Sequence, residues 1–197
     1  MLVSPRHVAV RPAHEVHDGP LGDAEHQEHG GGGVAGVVVG VIRLPFLGQL
    51  YTAERGRGAY EAGRRLQVSA TAELRDAIVA IGDYAVGDGA NGKNRARLTL
   101  TRHLAEQAQR VRMLGTAAID LAWVASGQLD ASITLSNKPW DMAAGALLVQ
   151  EAGGRVVDRD GTDHSASSAA TIAATPALTA ELLALLADAE DRPAPAL

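Results

Sequence analysis

Apolar and polar positions begin to follow a regular pattern at Val34. Residues 34–44, VAGVVVGVIRL, are rich in β-branched side chains, and such a run predicts a long buried strand. Turn-forming residues at 55–58 and at 61–64 then divide the next stretch into short strands. The pattern therefore predicts an antiparallel meander over residues 34–69.

From residue 70 onward the pattern changes, because strand-like apolar runs alternate with segments of helical period. Such alternation is typical of a mixed sheet with helices on both faces. We therefore predict an α/β fold of the α+β sandwich type, in which residues 70–189 form an α/β lobe after the meander. The expected strands are 77–81, 110–114, 130–135, 154–158 and 170–174, and three of the helices are 94–107, 117–126 and 176–189.

A further helix has a marked start at Pro139 and a marked stop at Gly153. Proline suits the first helical position, and two successive glycines supply the positive φ that closes a helix. The three- and four-residue spacing predicts a stripe that faces a core, formed by Ala144, Leu147, Leu148 and Glu151. Asp141 then lies in the first turn beside Trp140, where its carboxylate could bind a metal ion. The alternative is that Asp141 only stabilises the helix dipole, by about 0.3–1 kcal/mol.

Another helix start is predicted at Gly115 and Thr116, before the apolar residues 117–126. Unpaired N–H groups at a helix start bind anions and hydroxyl groups readily. Thr116 could instead cap the helix, which contributes about 1 kcal/mol. The two roles are compatible.

The first residues do not share the pattern of the rest. Residues 1–33 hold five of the seven histidines together with prolines and a run of glycines, and they show no sustained period. We expect a disordered His- and Gly-rich arm. A metal site at His14 and His17, with Glu15 and Asp18, is the alternative, but no helix is predicted that would place them on one face. Residues 190–197 are expected to form a tail.

Composition narrows the functional classes. The absence of cysteine excludes disulfides, zinc thiolate sites and thiol nucleophiles, and it is compatible with the cytoplasm, where we expect the protein to reside. A net charge of −5, scattered basic residues and 3% aromatic residues argue against a nucleic-acid partner. No stretch approaches about 18 apolar residues, and no signal peptide is indicated, so neither membrane insertion nor secretion is expected.

Two short motifs have the residue spacing of known phosphate-binding or phosphatase motifs. Residues 87–94, GDGANGKN, have the glycine and lysine spacing of a phosphate-binding loop, but Asn94 replaces the hydroxyl that holds magnesium and Asp88 adds negative charge. Residues 158–162, DRDGT, match the nucleophile motif of haloacid-dehalogenase-like phosphatases, but little chain follows for the later residues of that fold. We therefore predict a glycine-rich surface loop and a hairpin turn.

The order of four motifs resembles the inositol monophosphatase family of magnesium-dependent sugar-phosphate phosphatases. These motifs are the meander with LYTAERGRGAY and GRRLQVS, the Gly-Thr-Ala-Ala segment at 115–118, WDMAAG at 140–145, and EAGG at 151–154. The resemblance covers residues 34–189. It implies a fold like that of the family without its N-terminal part.

The resemblance also implies a chemistry. It implies that Asp141 is a ligand of Mg²⁺ and that Trp140 forms part of the pocket wall. It also implies that the sugar ring is contacted by Gly115, Thr116 and Ala117. The nucleophile would be metal-bound water. The implied substrate is a small phosphate ester, among which inositol phosphate, histidinol phosphate and nucleotide-derived phosphates remain open. A homodimer is implied as well.

Two family motifs have no counterpart in the sequence. The family places a Gly-Glu-Glu segment and an Asp-Pro-Ile/Leu-Asp-Gly-Thr segment before the meander, and Thr134 stands where many members have an acid that contacts sugar hydroxyls. Two hypotheses follow. Either the chain is a truncated or misstarted version of an active phosphomonoesterase, or it is a non-catalytic relative that binds a sugar phosphate or a partner chain.

Overall fold

A computed structural model describes residues 8–12, 37–136 and 138–192 of the chain. These residues form two five-stranded sheets and four α-helices, which stack as alternating layers of sheet and helix. The α/β sandwich predicted from the sequence is confirmed, with an antiparallel sheet first and a mixed sheet after it.

The first sheet is the predicted meander, with neighbouring strands antiparallel throughout. Its strands are β1 (Val8–Pro12), β2 (Val37–Leu44), β3 (Gln49–Glu54), β4 (Gly58–Glu61) and β5 (Arg64–Arg65). β1 lies within the segment predicted as a disordered arm, so that prediction is wrong for these five residues, whose backbone pairs with β2. The rest of the predicted arm up to residue 33 lies outside the described residues, as does the end of the predicted tail, residues 193–197.

The second sheet has the strand order β7-β6-β8-β10-β9. β6 is parallel to both of its neighbours, whereas β10 is antiparallel to both β8 and β9. The strands are β6 (Ile78–Ile81), β7 (Arg110–Arg112), β8 (Ala131–Thr134), β9 (Arg155–Val157) and β10 (Thr171–Ala174). Each falls within or beside a predicted strand.

The four helices form two layers. They are α1 (Ala90–Gln107), α2 (Ala117–Ala125), α3 (Pro139–Glu151) and α4 (Thr179–Asp191). α2 and α3 share one apolar core with the meander and with residues of the second sheet, while α1 and α4 pack on the other face of that sheet. The helix pair α2 and α3 is therefore enclosed between the two sheets.

This enclosure changes the prediction for α3. The sequence suggested one apolar stripe facing a core, but every residue from Met142 to Val149 is buried. A helix that is apolar all round is buried all round. Glu151, assigned to the stripe, is instead only partly buried, and its two carboxylate oxygens accept hydrogen bonds from Gly56 N and Gly58 N at 2.8 Å each. It joins the end of α3 to the β3–β4 turn.

The closeness of α2 and α3 depends on one glycine. A Cβ atom at Gly145 would lie 2.5 Å from Leu121 Cδ1 and 2.6 Å from Leu121 Cβ. Separations this short are repulsive, so any other residue would push the two helices apart. Gly145 therefore fixes the spacing of the enclosed layer.

Neither phosphate-like motif forms a phosphate-binding loop or a nucleophile site, but only part of residues 87–94 is the predicted loop. Residues 87–89 form a turn with positive φ at Gly87 and Gly89, and α1 begins at Ala90, four residues before the predicted start. The Asn94 side chain bonds the backbone N and O of Ala85. Residues 158–162 form a tight turn, in which Asp158 N donates to Thr162 O. Burial alone would raise the pKa of Asp158, but hydrogen bonds from the backbone N–H groups of Arg159, Ala169 and Ala170 outweigh it and lower the pKa. This carboxylate braces a loop.

Within the part of the chain that the structure describes, no helix combines the length and the apolar character needed to cross a bilayer.

Candidate functional site

A cavity of about 810 Å³ opens where the two sheets and three of the helices meet. Its walls come from the end of β2, the loop after β6, the first turns of α1, the starts of α2 and α3, and the end of β8. The lining includes Ile42–Phe46, Gly82–Ala85, Lys93, Arg97, Gly115–Asp120, Thr134, Ser136, Asp141 and Met142. Because the carboxyl ends of parallel strands are a frequent place for ligand sites, this position itself favours binding.

Four of the five candidate residues lie on this cavity. Gly115, Thr116 and Ala117 form the start of α2, and Asp141 stands in the first turn of α3, where its backbone N–H donates to Lys138 O at 2.9 Å. Trp140 does not line the cavity, and its side chain is 65% exposed. Successive helical residues point about 100° apart, so Trp140 faces solvent when Asp141 faces the cavity. The structure thus does not place Trp140 in the pocket wall.

The start of α2 presents its N–H groups to the cavity. Gly115 has a φ of +76°, and Thr116 is the extended N-cap residue, but its side chain makes no capping hydrogen bond. The predicted side-chain cap is therefore not formed, and the first N–H groups of the helix have no partner within the helix. Such groups, together with the helix dipole, form a site for anions or hydroxyl oxygens.

The sequence analysis missed most of the charged groups of this cavity. Besides Asp141, its walls carry the acids Asp83 and Asp120 and three basic residues, Arg43, Lys93 and Arg97. Lys93 and Arg97 lie four residues apart on α1 and therefore share one helix face. That spacing, directly after the glycine-rich turn, was the one signal in the sequence that could have indicated them. The cavity therefore offers positive charge for a phosphate group beside its carboxylates.

Asp120 is the most unusual of these groups. The residue is 2% exposed, and its Oδ1 atom is buried without a hydrogen-bond partner in the part of the chain that the structure describes. Burial, and secondarily the negative charge of Asp83, raise the pKa of Asp120 to about 7. The carboxyl is thus partly protonated near neutral pH, and both a donor and acceptors are available on it.

The acids of the cavity do not by themselves complete a metal site. Magnesium is held by several oxygen ligands in a near-octahedral arrangement. Among the described residues, no three His, Cys, Asp or Glu side chains converge closely enough to hold a metal ion. Asp141 forms no ion pair with a described residue, so its carboxylate is available as one ligand.

Comparison with known proteins gives a consistent result. A model of the inositol monophosphatase family matches residues 34–191. Inositol-1-monophosphatase of Mesorhizobium japonicum is 38% identical over 147 residues, which are 75% of this chain and 54% of that protein. Nus factor SuhB of Pseudomonas aeruginosa is 43% identical over 122 residues, which are 62% of this chain and 45% of that protein.

Solved structures agree. The inositol monophosphatase from Anabaena superposes with a TM-score of 0.71 at 32% identity, over 82% of this chain and 61% of that chain. The IMPase of Thermotoga maritima superposes with a TM-score of 0.72 at 30% identity, over 79% of this chain and 57% of that chain. The chain spans about half the length of the curated relatives it matches.

Proposed function

The chain belongs to the inositol monophosphatase family, and on that premise we propose that it is a magnesium-dependent phosphomonoesterase acting on inositol phosphate or a similar small phosphate ester. The observation that carries the proposal is the cavity, where Asp141 of α3 and the start of α2 meet although they are distant in sequence. Carboxylate, helix start and basic side chains together suit an ester that combines a phosphate with a polar ring.

We assign a role in ligand binding to each group of residues that lines the cavity. The positive charges of Arg43, Lys93 and Arg97 attract the phosphate group and raise its local concentration. The N–H groups at Thr116 and Ala117 bind oxygens of the ring. Enclosure between the sheets limits the orientations of the ester, and fixed orientation is itself a large contribution to rate.

Fewer observations support the part of the proposal that concerns magnesium. When bound, the ion supplies charge neutralisation of the phosphate and a lowered pKa of coordinated water. Asp141 is the described residue that we propose as its ligand. Because the described residues supply no group of three ligands, we derive no catalytic step through the ion from them.

A second candidate has its own support. Since the chain matches only about half of each curated relative, and its described residues do not complete a metal site, it could instead be a non-catalytic member that binds a sugar phosphate or a partner chain. One relative carries the name Nus factor SuhB, which favours a protein partner. A second copy of this chain is the partner that the family resemblance implies.

Phosphate release tests the two candidates against each other. The purified chain is incubated with inositol 1-phosphate, histidinol phosphate and adenosine 2′-monophosphate, in magnesium or in EDTA, and inorganic phosphate is measured. The phosphatase proposal predicts release that requires magnesium and differs among the three esters. No release from any of them, by a chain that circular dichroism shows to be folded, would contradict it and favour the non-catalytic candidate.

A further inference from the structure

The cavity contains one buried acid that neither the fold nor the proposed reaction uses. Asp120 lies in the first turn of α2, and its side chain is turned inward, with 2% of its surface exposed. Its Oδ1 atom has no hydrogen-bond partner among the described residues, and the residue lines the cavity. Leaving a buried polar atom unpaired costs about 1–3 kcal/mol, so folds rarely retain one without a reason.

The groups around Asp120 indicate which partner is missing. No described Lys, Arg or His forms an ion pair with it, and Asp83 adds charge of the same sign. A hydrogen-bonding group of a ligand in the cavity can supply the missing partner, because Asp120 lines that cavity. The other titratable side chains of the lining are Arg43, Asp83, Tyr84, Lys93, Arg97 and Asp141.

Three ligand groups could meet Asp120, and two of them fit poorly. A phosphate oxygen would be repelled by a carboxyl that is partly ionised beside Asp83. A ligand that is cationic overall would meet three basic residues as well as the three acids of the same cavity, so it would gain no net attraction. A hydroxyl group carries one donor and two acceptor positions, so it can pair with the neutral and with the ionised carboxyl alike.

We propose that Asp120 hydrogen-bonds a hydroxyl group of the ligand's ring and so selects polyhydroxy phosphate esters over esters with a plain hydrocarbon ring. The inference deepens the proposed function and rests on it for the phosphate part of the ligand. It assigns Asp120 to ligand selection and gives it no part in the chemical step. Thr134, at the end of β8, lines the same cavity, so a second polar side chain is available to the ring.

A comparison of two ligands isolates the contribution of the ring hydroxyls to the binding affinity. Inositol 1-phosphate and cyclohexyl phosphate share a six-membered ring and a phosphate, but only the first has ring hydroxyls. Their dissociation constants are measured by calorimetry for the full chain and for three variants, D120A, D120N and D88N. Asp88 is an exposed acid outside the cavity lining, so D88N controls for a general loss of charge.

The wild-type chain is expected to prefer inositol 1-phosphate. D120A should weaken the binding of inositol 1-phosphate about 3- to 10-fold, which is the range for one net hydrogen bond. The dissociation constant of cyclohexyl phosphate should stay unchanged. D120N should retain most of the preference, because an amide both donates and accepts. D120A should also unfold at a temperature no lower than wild type, since the Oδ1 atom it removes has no hydrogen-bond partner among the described residues.

Several results would overturn the inference: no binding of either ester, equal binding of both by the wild type, equal weakening of both by D120A, or a preference that survives in D120A. The measurement is separate from turnover. A chain that releases no phosphate but shows the Asp120-dependent preference would refute the proposed phosphatase and leave the assignment of Asp120 intact.

Discussion

Replacing Asp141 by asparagine is expected to lower magnesium-dependent phosphate release by at least about 100-fold, which corresponds to roughly 2.7 kcal/mol of transition-state stabilisation. Asp141 lines the cavity and forms no ion pair with a described residue. Asparagine has nearly the same shape, so the first turn of α3 keeps its packing while the negative charge is lost. Initial rates with inositol 1-phosphate over a range of magnesium concentrations measure the effect.

D88N is the matched control for this variant. It makes the same chemical change at an exposed acid that does not line the cavity, and its rate should stay within about two-fold of wild type, since surface changes of this kind have small effects. Magnesium affinity, measured by calorimetry, should fall in D141N and not in D88N. A D141N chain that retains wild-type rates and magnesium affinity would refute the assignment of Asp141 as a metal ligand.

Gly145→Ala is expected to destabilise the chain by about 1–3 kcal/mol, although alanine is the better helix former. The added Cβ would lie 2.6 Å from Leu121 Cβ, an atom next to the backbone of α2 that no rotamer change can remove. Because α2 and α3 are enclosed between two sheets, the helices have little room to separate. Urea denaturation of both proteins gives the difference in the free energy of unfolding.

Gly92→Ala makes the same substitution where there is space. Gly92 lies near the start of α1, and a Cβ there would meet nothing within 4 Å. This variant should be up to about 1 kcal/mol more stable than wild type, because alanine loses less conformational freedom in a helix. If G145A proved as stable as G92A, the close approach of α2 and α3 would not be a constraint on the fold.

The sequence was informative where a single local pattern determines the structure. The β-branched run and the turn signals of the meander predicted its antiparallel strands. Pro139 predicted the start of α3, which placed Asp141 in the first turn. Gly115 and Thr116 marked the start of α2 for a similar reason, since a helix start is a local event.

Residues that reach the cavity only through the packing of distant segments were not predicted from the sequence as site residues. Asp83 follows β6 and Asp120 lies in α2, and only the arrangement of the sheet brings them to one cavity. Lys93 was set aside within a motif that fails as a phosphate-binding loop, yet α1 presents it, with Arg97, to the same cavity.

The misjudged elements have a physical cause as well. Spacing along α3 showed a stripe, because Ala143, Gly145 and Ala146 are small and give a weak apolar signal, but all three are buried, and Gly145 lies against Leu121 of α2. The resemblance implied that Trp140 forms part of the pocket wall, but Trp140 and Asp141 are adjacent in a helix and therefore point in different directions. Burial from two sides is a property of the layers, which no single segment encodes.

We propose that the cavity at the starts of α2 and α3 binds a small phosphate ester. Titration of the ¹⁵N-labelled chain with inositol 1-phosphate, in magnesium, followed by NMR of the backbone amides, tests it most directly. The largest shifts are expected to cluster at Asp83, Gly115, Thr116 and Asp141. Shifts confined to other surfaces, such as the turn at residues 158–162, or no shifts at all, would contradict it.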